Sequence, residues 1–265
     1  MTARQALAAA QRRLAAAGID TAEWEARQLV AHALGTTPAR LAADPDGEAA
    51  AEALEPLLRR REAREPLAYV LGEWGFRRLT LRTDRRALVP RPETEVVVER
   101  CLALLAGLER PRVLDVGTGT GAIALAIADE HPGARVTGVD TSPDALALAR
   151  ENAELTGLEV EIREGGVEAA AEGWELVVSN PPYVAAEELA SLEPEVRDWE
   201  PQEALVDTGV HERLARAART RFLVLEVGDG QAADLARALV KVGFAETRIT
   251  RDLAGKERVV EAQGE

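Results

Sequence analysis

A doubly wound α/β sheet preceded by a helical segment is the fold class this sequence predicts. Three observations carry it. From about Arg112 onward strand-like and helix-like runs alternate. Residues 1–65 show helix-like patterns only, and the glycine- and proline-rich motifs follow the carboxyl ends of predicted strands.

The helical segment comes first. Asp20 with Glu23 three residues later has the spacing of a capping box. Ala26, Leu29, Val30, Ala33 and Leu34 then recur at helical intervals, and Gly35 supplies a stop. A further helix is predicted from about Asp46 to Arg64, with Leu54, Leu57 and Leu58 on its apolar side. It ends in Arg59, Arg60, Arg61 and Arg64. That run reads either as a solvated helix face or as a contact for an anionic partner.

Residues 66–90 change character. Tyr69-Val70-Leu71-Gly72 leads into Trp74-Gly75-Phe76 and Leu79-Thr80-Leu81, whose alternation and glycines predict a short hairpin. Pro90-Arg91-Pro92-Glu93-Thr94-Glu95 is a stiff connector in which Glu93 or Thr94 starts the next helix. Strands are then predicted at Arg112–Val116, Arg135–Val139, Val160–Arg163, Leu176–Ser179 and Phe222–Val227. A helix over Thr120–Glu130 separates the first two, and Ser142 caps the next, with Pro143 at its first position. Phe244–Thr250 and Arg258–Ala262 read as a closing antiparallel pair. The implied organisation is a helical domain over residues 1–72, a hairpin linker over 73–90, and an α/β domain over 91–265.

Composition narrows the function. With 46% apolar and 29% charged residues, the 265-residue chain can build a packed core in one large or two smaller domains. Its formal net charge is −14, and residues 84–265 carry 20 Arg/Lys against 35 Asp/Glu. Such a surface opposes broad binding of a polyanion. The single cysteine, Cys101, excludes an intrachain disulfide and a multi-cysteine zinc site, and its apolar setting predicts a buried thiol. His32, His131 and His211 lack metal-ligand spacing, so no metal is expected. Apolar runs such as Ala122–Ala128 fall far short of a membrane span, and residues 1–5 lack a signal-peptide apolar region. The expectation is a soluble, cytoplasmic protein, monomeric because no long amphipathic repeat calls for self-association.

Two motifs carry chemistry. In Asp115-Val116-Gly117-Thr118-Gly119-Thr120-Gly121 a glycine loop follows the first predicted strand and opens a helix. Glycines let backbone turn sharply and approach a ligand, and the helix start adds exposed N–H groups. Asp140 lies just past the second strand, 19 residues after Gly121. There a carboxylate can accept both ribose hydroxyls of a nucleoside. The spacing is Gly-x-Gly-x-Gly, not the dinucleotide fingerprint. NAD is therefore disfavoured against S-adenosylmethionine, which has no pyrophosphate to cradle.

The second motif, Asn180-Pro181-Pro182-Tyr183, follows the Leu176–Ser179 strand. Two prolines remove two N–H donors and leave carbonyl oxygens free. Asn180 adds a side-chain acceptor and Tyr183 an aromatic face, together a slot for a planar NH₂ group. An amide nitrogen is a poor nucleophile because its lone pair is delocalised. Hydrogen bonds from its N–H groups to Asn180 and the Pro181 carbonyl raise its electron density and direct it toward a methyl donor. The proton leaves after nitrogen acquires positive charge, so no strong base is needed.

Taken in order, Tyr69–Gly72, Pro90–Glu95, Asp115–Gly121, Asp140, Asn180–Tyr183 and Asp252–Val259 resemble the release factor glutamine methyltransferases, the PrmC/HemK family. The resemblance implies a seven-stranded S-adenosylmethionine-dependent methyltransferase sheet joined by a β-hairpin to a helical substrate-docking domain. It implies methylation of the glutamine amide in the Gly-Gly-Gln motif of class I peptide chain release factors, in translation termination, with S-adenosylhomocysteine as product. Gly117, Thr118, Gly119, Thr120, Gly121, Asp140 and Asn180 would then bind the cofactor. Asn180, Pro181, Pro182 and Tyr183 would hold the substrate amide, with Asn180, Pro181 and Tyr183 the catalytic set. Arg91, Glu93 and Thr94 resemble the family's linker motif, either supporting the site or serving as a structural hinge. Glu164-Gly165-Gly166-Val167 departs from the family pattern near the adenine, which leaves that contact to apolar packing or backbone. Trp174 and Trp199 are expected to serve packing.

Other readings share parts of this pattern. A ribosomal-protein glutamine methyltransferase would have the same active site. Asn-Pro-Pro-Tyr also serves adenine methylation in nucleic acids, but the acidic α/β domain lacks a basic, aromatic-interleaved recognition segment. A binding module that senses a nucleoside without transfer would have no need for the Asn180–Tyr183 slot. No direct nucleic-acid or membrane partner is expected.

Overall fold

The computed structural model describes residues 1–47 and 51–264. They form two compact units, Met1–Glu73 with Glu193–Trp199, and Trp74–Leu192 with Glu200 onward.

The first unit holds α1 (Ala3–Ala16), α2 (Ala22–Ala33), α3 (Pro38–Ala43), α4 (Ala51–Glu62) and α5 (Leu67–Leu71). α1 begins with a capping box in which Thr2 and Gln5 exchange side-chain and backbone bonds. The box expected at Asp20 does not form. α2 starts one residue after Thr21, whose hydroxyl donates to Glu25 Oε1 at 2.8 Å instead of capping. Gly35 follows the end of α2 with φ +60°, as a stop should. Of the helix predicted from Asp46, the described part begins at Ala51; Asp46 and Gly47 precede it outside any helix, and residues 48–50 lie outside the described residues.

The arginine run at the end of α4 divides: Arg59 and Arg60 are exposed, whereas Arg61 is buried and Arg64 half-buried. Arg61 is 3% exposed and donates to Glu25 at 2.5 Å and to Glu195 at 2.7 Å. Arg60 holds Glu65 and the carbonyls of Tyr69 and Val70. Arg64 joins Glu195 at 2.7 Å and Glu193 at 3.3 Å. Only Arg59, paired with Glu55, keeps most of its side chain in water. A guanidinium buried against carboxylates is satisfied at home and offers nothing to a partner.

The second unit opens with the predicted hairpin, β1 (Glu73–Phe76, its first residue in the helical unit) and β2 (Leu79–Arg82). Then follow α6 (Thr94–Leu105), β3 (Arg112–Val116), α7 (Ala122–Glu130), β4 (Arg135–Asp140), α8 (Pro143–Thr156), β5 (Glu161–Glu164) and β6 (Trp174–Ser179). α9 (Pro194–Arg197) belongs to the helical unit. The chain closes with α10 (Val210–Ala217), β7 (Thr220–Glu226), α11 (Ala232–Lys241), β8 (Glu246–Arg251) and β9 (Glu257–Gln263). The seven-stranded sheet runs β5-β4-β3-β6-β7-β9-β8, parallel except where β9 pairs antiparallel with β7 and β8.

Alternate residues of the strands feed two cores, as a sheet covered on both faces requires. Val113, Leu176, Val178, Phe222 and Val224 pack with α6 and α7; Leu114, Val177, Leu223 and Leu225 pack with α10 and α11. Fully buried leucines such as Leu114, Leu176 and Leu223 each contribute about 2 kcal/mol. Cys101 is buried on α6 and its thiol is pushed up by burial. Trp174 serves packing as expected, its indole N–H donating to the Ala169 carbonyl at 2.8 Å. No helix among the described residues is long and apolar enough to cross a membrane.

α7 starts two residues later than the pattern suggests. Gly121 sits at φ +83°, where a helix cannot begin, and a side chain there would press on Leu125 at 3.1 Å.

Candidate active site

The strand register builds the site. Val116 lies opposite Val139, and Asp115 lies opposite Gly138 on one side and Val178 on the other. The residues just beyond, Gly117, Asp140 and Asn180, therefore emerge together at the carboxyl edge. β3 has β4 on one side and β6 on the other, which makes this the switch point where open α/β sheets bind ligands. Ser179 Oγ ties the two strand ends by donating to the Val116 carbonyl at 2.6 Å.

A cavity of about 590 Å³ opens there. Gly117, Thr118, Gly119, Thr120, Asp140, Asn180, Pro181 and Pro182 line it. Two expected residues do not. Gly121 serves the helix start. Tyr183, the next residue after this lining, packs its ring against Gly228. Burial pushes the Tyr183 phenol up to about 12.

The loop is held by its own chain. The N–H groups of Gly117 and Thr118 both donate to the Val139 carbonyl at 2.9 Å. Asp140 accepts from Gly119 N through Oδ2 and from Ser142 N through Oδ1, each at 2.9 Å. Thr118 donates to Asp115 Oδ2 at 2.7 Å, while Asp115 Oδ1 is buried without a partner. Burial pushes the Asp115 carboxyl up to about 7.

On the opposite wall Asn180 Nδ2 donates to Thr94 Oγ1 at 3.2 Å, and Thr94 donates to Glu226 Oε2 at 2.7 Å. The Pro181 carbonyl accepts no hydrogen bond from the described residues. The linker motif lies alongside: Arg91 clasps both oxygens of buried Glu200, at 2.8 and 2.6 Å. Burial raises Glu200 and Arg91 opposes the rise.

Two acids are absent from the sequence-derived set. Glu168 accepts from Gly166 N at 2.7 Å and lines the cavity beside Gly165, Gly166 and Val167. The stretch that departs from the family pattern thus forms wall. Glu226 is 1% exposed, and burial pushes it up to about 7. Its signal was present, because it ends the apolar run Phe222–Leu225 at the same sheet edge as Asn180.

Residues 5–72 match the family model of the PrmC N-terminal domain, and residues 95–193 match that of the methyltransferase small domain. The release factor glutamine methyltransferase of Cereibacter sphaeroides is 42% identical, over 99% of both chains. That of Deinococcus radiodurans is also 42% identical, over 99% of both chains. The chain belongs to the release factor glutamine methyltransferase family.

Solved structures agree at the level of fold. The catalytic domain of hMettl16 in complex with the MAT2A 3'UTR hairpin 6 superposes with a TM-score of 0.55 at 15% identity, over 69% of this chain and 74% of that one. The Thermus thermophilus 16S rRNA N2 G1207 methyltransferase, in complex with AdoMet and guanosine, gives 0.53 at 18% identity, over 73% and 50%.

Proposed function

We infer that this enzyme transfers a methyl group from S-adenosylmethionine to the side-chain amide nitrogen of the glutamine in the Gly-Gly-Gln motif of class I peptide chain release factors. One observation carries the reading: a nucleoside-type loop and an amide-type slot share a cavity, in a chain that matches its relatives from end to end.

The residues fit the cofactor. The volume is that of a nucleoside-sized site. Each Asp140 oxygen accepts one backbone bond, Oδ2 from the loop at Gly119 and Oδ1 from Ser142, which leaves lone pairs for ribose hydroxyls. Gly117, Thr118, Gly119 and Thr120 present backbone to the methionine part, and Gly121 supports them from the helix start. When bound, the cofactor supplies a methyl group on a sulfonium and is left as S-adenosylhomocysteine.

The chain's own work is orientation. Asn180 Oδ1 and the Pro181 carbonyl accept the two amide protons of the substrate and fix the direction of its nitrogen. Pro182 stiffens the turn that carries them. Tyr183 follows the slot and would offer its aromatic face to the amide. The transferred nitrogen sheds its proton after it becomes cationic, so none of these groups acts as a strong base. No metal takes part in this scheme.

The helical unit, residues 1–72 in the sequence-derived division, docks the release factor without help from buried Arg61, and the enzyme works as a monomer in the cytoplasm. The test uses a class I release factor as acceptor. Asn180→Ala is expected to abolish transfer while largely retaining cofactor affinity; wild-type turnover in that variant would contradict the mechanism.

A further inference from the structure

A carboxamide has two similar ends, and only the oxygen end of Asn180 can accept a proton from the substrate amide. Something must hold it that way round. Register places the candidate: Ser179 pairs with Leu225, so Asn180 and Glu226 leave adjacent strands side by side. Thr94, the first residue of α6, stands between them.

A threonine hydroxyl has one hydrogen. Thr94 gives it to Glu226 Oε2 at 2.7 Å, so its oxygen can only accept from the third group, Asn180 Nδ2 at 3.2 Å. That turns Oδ1 away from Thr94. We propose that Glu226, acting through Thr94, is the positioning residue that keeps the Asn180 carboxamide with its oxygen toward the acceptor amide. The inference rests on the reading of Asn180 as the amide acceptor.

The cost of the arrangement supports a role. Glu226 Oε1 is buried without a partner, which folding alone would disfavour. The groups that face Glu226 are Thr94, the Tyr183 hydroxyl and Arg258 of β9, all of which favour its ionised form, and Glu93, which opposes it. His211 of α10 bonds only its backbone carbonyl, at 2.7 Å.

The charge on Glu226 decides the polarity of the chain of bonds. A proton taken up on Glu226 Oε2 would be donated to Thr94. The Thr94 hydrogen would then point at Asn180 and draw Oδ1 inward, away from the substrate. Burial puts this change at about 7, so transfer should rise with pH through neutrality.

The chain has two asparagines, Asn152 and Asn180, so ¹⁵N-asparagine labelling yields two side-chain NH₂ signals. Asn152, bonded to the carbonyls of Arg82 and Thr120, is the internal reference. The Asn180 pair is expected to titrate near pH 7 in the wild type and to stop titrating in Glu226→Gln. Thr94→Val should abolish the titration, and Thr94→Ser should keep it. In methyl transfer to a release factor, Thr94→Val and Glu226→Gln should lower kcat by roughly tenfold to a hundredfold with cofactor affinity unchanged. Thr94→Ser should restore what Thr94→Val loses. An Asn180 signal that does not move in the wild type, or moves equally in Glu226→Gln, overturns the proposal, as does wild-type kcat in Thr94→Val. The spectra need no methyl acceptor. A wild-type enzyme that leaves release factors unmodified would sink the substrate assignment while the titration still judges Glu226.

Discussion

The Gly119 backbone amide donates to Asp140 Oδ2 at 2.9 Å, so one carboxylate both shapes the glycine loop and lines the cavity below it. Asp140→Ala removes that bond, the bond to Ser142 N and the proposed ribose acceptor together. Each bond to a charged group is worth about 1.5–3 kcal/mol. Calorimetry with S-adenosylhomocysteine is expected to show affinity at least tenfold weaker. Unchanged affinity would remove Asp140 from the cofactor site.

Gly138 on β4 does not line the cavity, yet it bears on the loop. A methyl group there would lie 2.7 Å from Thr118 Oγ1 and 3.0 Å from Ile162 Cδ1. Thr118 would have to turn off Asp115, leaving a second buried carboxylate oxygen unpaired. Gly138→Ala should cost about 1–3 kcal/mol in urea unfolding and also weaken cofactor binding. A variant with wild-type values in both would show that the Thr118–Asp115 bond is dispensable.

In the helical unit the two ends of the arginine run should behave differently. Arg61→Leu leaves buried Glu25 without its guanidinium, while Glu195 keeps Arg64, and should cost about 3–5 kcal/mol of stability. Arg59→Ala removes an exposed pair and should change stability by less than about 1 kcal/mol, with KM for the release factor unaltered. A raised KM in Arg59→Ala would return a docking role to the run.

Glu226 also predicts a pH dependence of stability. Its native pKa is raised from the ordinary 4.5 to about 7, so the folded state holds the proton more tightly than the unfolded one. That contribution is complete below about 4.5 and lost as pH rises through about 7; it amounts to about 3 kcal/mol. Asp115, raised to about 7, acts in the same direction. Stability measured from pH 5 to pH 8 should therefore move in favour of Glu226→Gln relative to the wild type. A constant difference across that range would place the Glu226 pKa near its ordinary value.

The site was legible where a motif is local in sequence. Gly117–Thr120, Asp140 and Asn180–Pro182 each follow a strand, and strand order alone brings them together. The closing pair β8–β9 and the hairpin β1–β2 were legible for the same reason, because alternation and glycine punctuation are local signals. What escaped depends on partners far along the chain. Glu226 meets Thr94 across 132 residues, and Arg61 meets Glu195 across 134. Neither pairing leaves a trace in spacing, so the arginine run looked solvated. Asp20 had the spacing of a cap, but Thr21 is the residue that borders α2.

The central claim is the acceptor atom. The most direct measurement is transfer from labelled S-adenosylmethionine to a purified class I release factor, with the modified residue read by mass spectrometry and a Gln→Ala release factor as control. One methyl group is expected on the side-chain amide of the Gly-Gly-Gln glutamine and none on the control. Methyl incorporation elsewhere, or none at all while cofactor binding is intact, would contradict it.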